Sequence, residues 1–207
     1  MSVKVHSFPR SGTHWLMALL WKNFEVGDCP NAAEIPERAG HVWASPDGTC
    51  PWHHLFGGHG YWSSDVGDVI YLARHPYSVF RSLYRHVKAK MPYAEWIRLD
   101  AKAAGLTWIR DEEVPLPVLW IDHIRSFTMR PEVHWVHYET LAAAPASTLL
   151  KVERQFGLKA RGPALDTELP KVGWDPCPGF AWDPQESVQF RQYFLQYCPA
   201  EVKGYVL

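Results

Sequence analysis

The chain has no C-x-x-C pair, no long hydrophobic run, no internal repeat and almost no net charge. Its four cysteines, Cys29, Cys50, Cys177 and Cys198, stand singly, so neither a zinc ribbon nor a dithiol redox motif is written in them. With no signal-peptide pattern at the N-terminus, they are expected to be reduced thiols of a cytoplasmic protein. The longest apolar run, Trp15 to Trp21, is far shorter than the roughly 20 residues a membrane-spanning helix needs. A formal net charge of −1 argues against a general binder of nucleic acid or anionic membrane. What remains is a globular composition, 47% hydrophobic and 21% charged, at a length of 207 residues that suits one domain spanning 1–207. Eleven tryptophans are plentiful for that length, and they suit both a core and an aromatic-lined pocket.

The chain is organised around Ser7 to Trp15, reading S-F-P-R-S-G-T-H-W. Val3-Lys4-Val5-His6 before it alternates like a half-buried strand, and Trp15 to Trp21 after it is a run of good helix formers. A strand, a tight loop and a helix in that order present backbone N–H groups and the positive end of a helix dipole to an anion. Pro9 stiffens the loop and Gly12 permits close backbone approach. Ser11 and Thr13 add hydroxyls, and Arg10 adds a cationic fork suited to phosphate or sulfonate oxygens. A nucleoside-triphosphate loop would need G-x-x-x-x-G-K-[ST]; this one has a single glycine and no lysine.

Along the chain, Gly27 to Pro51 reads as a long loop of the kind that binds substrate. His53 to His59 suggests a short strand ending in glycines. Asp68 to Ala73 is almost continuously apolar, as a buried parallel strand should be. Pro76 then opens a helix expected to run to about Lys90. Further helices are expected over Pro92–Ala104 and Leu116–Thr128, the latter with Leu119, Trp120, His123, Ile124 and Phe127 at helical spacing. Val133 to His137 alternates like a strand, Tyr138 to Phe156 reads as a turn and helix capped by Gly157, and Pro184–Tyr197 as a last helix. Strands alternating with helices predict an α/β fold: one three-layer domain, a central parallel sheet flanked by helices, with ligands at the carboxyl ends of the strands.

F-P-R-S-G-T-H-W resembles the 5′-phosphosulfate loop of sulfotransferases that use 3′-phosphoadenosine-5′-phosphosulfate (PAPS), a pattern running roughly Y/F-P-[KR]-S-G-T-[TS]-W. Arg10 stands where that family has lysine or arginine, and His14 at a usual threonine or serine. Tyr71 to Ser82, containing Arg74-His75-Pro76, resembles the family's 3′-phosphate motif: Arg74 and Ser82 keep its spacing, with His75 at a usual Asn or Asp. His137-Tyr138-Glu139-Thr140-Leu141 is similar to the Y-E-D-L segment, whose tyrosine lies near the adenine; Trp15 matches the ring that stacks on that base. Core packing is the competing explanation for each of these aromatics. The C-terminal motif R-K-G-x-x-G-x-W is not cleanly present; Lys171-Val172-Gly173-Trp174 or Gly179-Phe180-Ala181-Trp182 would be its remnant.

The resemblance implies a P-loop-like nucleotide-binding topology and transfer of a sulfuryl group from PAPS, with PAP as product, to a hydroxyl or amine of a small-molecule or glycan acceptor. The loop from Arg10 through Ser11, Gly12, Thr13, His14 and Trp15, with Arg74, Ser82 and Tyr138, would bind the donor. Arg10 would also neutralise charge on the transferring group, and no metal is required. The base is expected at His59, which occupies the family's place between the two phosphate motifs; histidine suits the task by its pKa. His53, His54, Glu25, Glu34 and Glu37 are alternatives. A zinc site from Cys50, His53, His54 and His59 fits no standard spacing. Two other functions stay open: a small-molecule kinase of related topology, and a non-catalytic nucleotide-binding module.

Overall fold

A computed structural model describes residues 3–26, 56–62, 68–128, 130–168 and 184–205. Four parallel strands form one sheet: β1 (Lys4–Ser7), β2 (Phe56–Gly58), β3 (Val69–Ala73) and β4 (Val133–His137), in the spatial order β2-β1-β3-β4. Seven α-helices accompany them among the described residues: α1 (Thr13–Asn23), α2 (Pro76–His86), α3 (Tyr93–Trp96), α4 (Leu116–Phe127), α5 (Tyr138–Ala143), α6 (Pro145–Phe156) and α7 (Pro184–Leu195); a 3₁₀ helix covers Ala200–Tyr205.

The side-chain period of two sorts β3 between two cores. Val69, Tyr71 and Ala73 pack with residues of α2, α4 and α7, while Ile70 and Leu72 pack with Leu16, Leu19 and Leu20 of α1 and Leu149 and Val152 of α6. The sheet is therefore the middle of three layers, and every residue of β3 is buried. The register sets His6 beside Tyr71 and Ser7 beside Leu72, so neighbouring strands share their faces. Because β1 sits between β2 and β3, strand addition reverses there. In open parallel sheets the crevice outside the carboxyl ends at such a switch point is where ligands bind.

Three expected helices end differently. α2 stops at His86 rather than near Lys90, because Lys88 adopts a left-handed conformation (φ 51°). Lys88 N–H donates to Arg85 C=O at 3.1 Å and Ala89 N–H to Tyr84 C=O at 3.3 Å, a Schellman closure built on lysine where glycine is usual. The helix expected over Pro92–Ala104 is one turn, α3, because its later residues turn to other partners. Asp100 Oδ1 accepts from Ala103 N–H at 2.7 Å, Ala101 N–H donates to Val114 C=O at 2.9 Å, and Trp96 Nε1 to Ala104 C=O at 3.2 Å. Tyr138 to Phe156 is two helices, since Ala144 precedes Pro145 and takes φ −144°, ψ 65°, outside the helical region. Gly157 caps α6 at φ 57°, as expected.

Candidate active site

Each strand delivers one sequence motif at its carboxyl end. His59 follows β2, the Phe8–Gly12 loop follows β1, Arg74 follows β3 and Tyr138 follows β4. The parallel register lines these ends up, so segments far apart in sequence meet along one edge of the sheet.

The loop enters α1 through Gly12, which holds φ 93°, ψ 24° and leaves the helix without a side-chain cap. A Cβ on Gly12 would come within 2.6 Å of the Tyr138 ring, so both the backbone conformation and the neighbouring ring require glycine. Arg10 also adopts a left-handed conformation, φ 68°, which costs a non-glycine residue about 1 kcal/mol or more. Ser11 N–H turns back to Phe8 C=O at 3.2 Å, so that amide closes the loop internally. The Ser11 hydroxyl is buried and has no hydrogen-bond partner among the described residues, and the same holds for Arg74 Nε. Buried polar atoms of this kind cost free energy unless a partner satisfies them. A loop hydroxyl left unsatisfied beside an uncapped helix start, with the Arg74 guanidinium bonded to the same loop through the Arg10 carbonyl, fits an oxyanion ligand.

The motifs interlock. Arg10 Nε donates to Ser82 Oγ at 3.1 Å, and Arg74 donates to the Arg10 carbonyl at 3.0 Å. Arg10, expected at the sulfonate, thus reaches across to the serine expected at the 3′-phosphate. The Arg74 guanidinium lies 4.2 Å from the Tyr138 ring centroid, and Trp15 meets that ring edge-on at 5.1 Å. His75, at the usual Asn or Asp, performs a cap: its Nδ1 accepts from Tyr77 N–H at 3.3 Å, ahead of Pro76 in the first turn of α2. Its own N–H donates to Glu139 at 3.0 Å, tying the third motif to the second.

His59 is half-buried beside Ser7. Its Nδ1 lies 2.8 Å from the Ser7 carbonyl and 3.4 Å from the Ser7 hydroxyl, and that hydroxyl hydrogen-bonds Thr13. A carbonyl only accepts, so Nδ1 carries the proton and the neutral ring has its lone pair on Nε2. Burial lowers the His59 pKa, the Ser7 contact opposes that shift, and Arg10 adds to it. A neutral histidine with one oriented nitrogen can accept a proton. Among the alternatives, Glu25 follows the far end of α1 and pairs with Lys159 at 2.9 Å. His53, His54, Glu34, Glu37, Cys50 and both remnants of the C-terminal motif lie outside the described residues. No group of three or more His, Cys, Asp or Glu that could hold a metal occurs among the described residues.

Sequence reasoning missed Ser7 and His123. Ser7 opened the Ser7–Trp15 stretch without a role of its own, and His123 stood as one member of an apolar helix face. Their roles arise from pairing across strands and layers, for which local sequence carries no signal.

Burial lowers the pKa of His6 and His14 to about 4 and of His123 to about 3. His59 contributes second to the first two shifts, and the Ser7-like restoring contact for His123 is the His59 carbonyl. Unfolding returns each ring to a pKa near 6.5, so below that pH the unfolded chain binds protons the folded chain does not. Stability is therefore expected to fall as pH drops from about 6.5 toward 4, by up to about 1.4 kcal/mol per pH unit for each ring within its window. Urea melts at several pH values across that range would show it; a flat midpoint would overturn the assignment of neutral rings.

No helix among the described residues is long and apolar enough to cross a membrane. No family model and no curated sequence matches the chain. Comparison with solved structures shows that the chain has a sulfotransferase-like fold. Mouse sulfotransferase SULT7A1, in its crystal structure complexed with PAP, matches 99% of this chain and 89% of its own, with a TM-score of 0.50 and 14% sequence identity. At that identity the likeness is one of fold.

Proposed function

We propose that the protein is a PAPS-dependent sulfotransferase acting on a hydroxyl or amine of a small-molecule or glycan acceptor. One observation carries the reading: four strands of one parallel sheet present an oxyanion loop, an arginine–serine pair, an aromatic pair and an oriented neutral histidine at a single edge. The fold neighbour's complex with PAP supports the choice of donor.

PAPS supplies an activated sulfuryl group with a good leaving phosphate. The start of α1 and the Ser11 hydroxyl bind its 5′ end, and Arg74 with Ser82 the 3′-phosphate. Trp15 and Tyr138 hold the base. His59 Nε2 takes the acceptor's proton, and Ser7 keeps Nδ1 protonated meanwhile. Arg10 offsets developing negative charge.

Titration calorimetry of adenosine 3′,5′-bisphosphate and adenosine 5′-monophosphate tests this reading. Wild type should prefer the bisphosphate. Arg74→Ala should weaken it by roughly tenfold to a hundredfold, the worth of a charge-assisted contact of about 1.5–3 kcal/mol, and leave the monophosphate nearly unaffected. Equal losses for both ligands would place Arg74 in the fold or at the 5′ end. A wild type indifferent to the 3′-phosphate would remove PAPS as donor and return the kinase alternative.

A further inference from the structure

The short segment that carries His59 is gripped by α4, and the grip is polar in an otherwise apolar face. Leu119, Trp120, Ile124 and Phe127 of that helix are buried in the core beside Tyr71. His123 is 2% exposed among them, a place where leucine would bury more apolar surface at no polar cost. Both its ring nitrogens are engaged: Nε2 lies 3.0 Å from the His59 carbonyl, and Nδ1 lies 2.7 Å from the Tyr71 hydroxyl. Since the carbonyl can only accept, Nε2 donates. Nδ1 must then accept, and the Tyr71 hydroxyl donates to it. The chain of donors therefore has one direction, from Tyr71 through His123 to the backbone of His59. One turn on, Ser126 Oγ donates to the His123 carbonyl at 2.8 Å and accepts from Trp62 N–H at 3.1 Å. The segment is thus held on both sides of Gly60 by two side chains of one helix.

We propose that His123 and Ser126 are positioning residues for His59, fixing its backbone so that the ring keeps Nδ1 on the Ser7 carbonyl and offers Nε2 for proton transfer. The last link rests on the proposed function; the placement rests on the hydrogen bonds alone. Burial keeps His123 neutral, so its single Nε2 proton stays committed to the carbonyl at ordinary pH. Among the described residues, the titratable groups around it are His6, His59, Tyr61 and Tyr71, none of which offers it a carboxylate. A small displacement of the base matters, because misplacing a reacting group by about 1 Å can cost about a hundredfold in rate.

The experiment pairs a structural readout with a kinetic one. In ¹⁵N-histidine-labelled protein, with the His59 signals assigned by their loss in His59→Asn, the wild-type ring is expected as the Nδ1–H tautomer. In His123→Phe, which removes both bonds, the two tautomers should mix and kcat fall about tenfold to a hundredfold, with KM for PAPS and the affinity for adenosine 3′,5′-bisphosphate unchanged. His123→Gln, whose amide can still donate to the His59 carbonyl, should recover most of the rate, and Ser126→Ala should lose only a few-fold. An unchanged tautomer with kcat within twofold in His123→Phe overturns the proposal. So does an equal loss of nucleotide affinity, which would mean general support of the site. Should His123→Phe fail to fold, Tyr71→Phe decides, since it removes one hydroxyl: partial mixing and a several-fold lower kcat support the proposal, wild-type values for both overturn it. A wild type that transfers no sulfuryl group defeats the proposed function and leaves the tautomer measurement to judge the positioning.

Discussion

His59→Ala is expected to lower turnover by ~10²–10⁴ while leaving affinity for adenosine 3′,5′-bisphosphate nearly unchanged. The size follows from removing a positioned proton acceptor, and the selectivity from geometry. His59 bonds Ser7 and, through its carbonyl, His123, whereas Arg74 stands after β3, Ser82 in α2, Tyr138 at the start of α5 and Trp15 in α1. His59→Gln sharpens the test, because an amide can keep a hydrogen bond to Ser7 yet cannot take a proton. Its turnover should stay low. Steady-state kinetics with an identified acceptor, beside calorimetry of the nucleotide, give both numbers. Near-wild-type turnover in His59→Ala would dismiss the assignment and direct attention to His53, His54 or the glutamates Glu25, Glu34 and Glu37.

The second large effect is expected at Arg10. Arg10→Ala should lower kcat by about a hundredfold, as loss of a preorganised charge-stabilising donor does. Arg10→Lys should recover only part of it, since lysine brings a point charge but no Nε to hold on Ser82. The placement of Arg10 adds a pH signature. Burial and then His59 and Arg10 lower the pKa of His14; burial leads and Arg10 contributes at His59 and His86. Removing the cation should raise all three. A base whose pKa rises is protonated at higher pH, so the acid limb of the kcat profile should move upward in Arg10→Ala. A change confined to KM, with the acid limb unmoved, would make Arg10 a ground-state binder.

The departures of this chain from the sulfotransferase pattern have structural counterparts. His75 replaces Asn or Asp without losing the cap, because its Nδ1 reaches Tyr77 N–H from the same position. His14 stands at the place of a hydroxyl residue and brings a half-buried imidazole within electrostatic reach of both His59 and Arg10. With His6 and His123 it makes this edge of the sheet rich in neutral histidines, each held below the ordinary histidine pKa by burial.

Local sequence determined a great deal. The apolar run of Val69 to Ala73 specified a buried strand, since only a central parallel strand covers both its faces. Pro76 and Gly157 fixed the start of α2 and the end of α6, because their backbone restrictions act at single residues. The order of the motifs between strands and helices pointed to the carboxyl edge of the sheet as the place of the candidate site. Tertiary structure decided the rest. Lys88 ended α2 against its own side-chain preference, and Asp100, Ala101 and Trp96 diverted the expected helix after α3 to other partners. The reach of Arg10 to Ser82, the seat of Tyr138 on Gly12 and the grip of His123 on His59 each join segments brought together by parallel register and layer packing. A hydrogen bond between strands or layers depends on positions far apart in the chain, and no window of neighbouring residues encodes it.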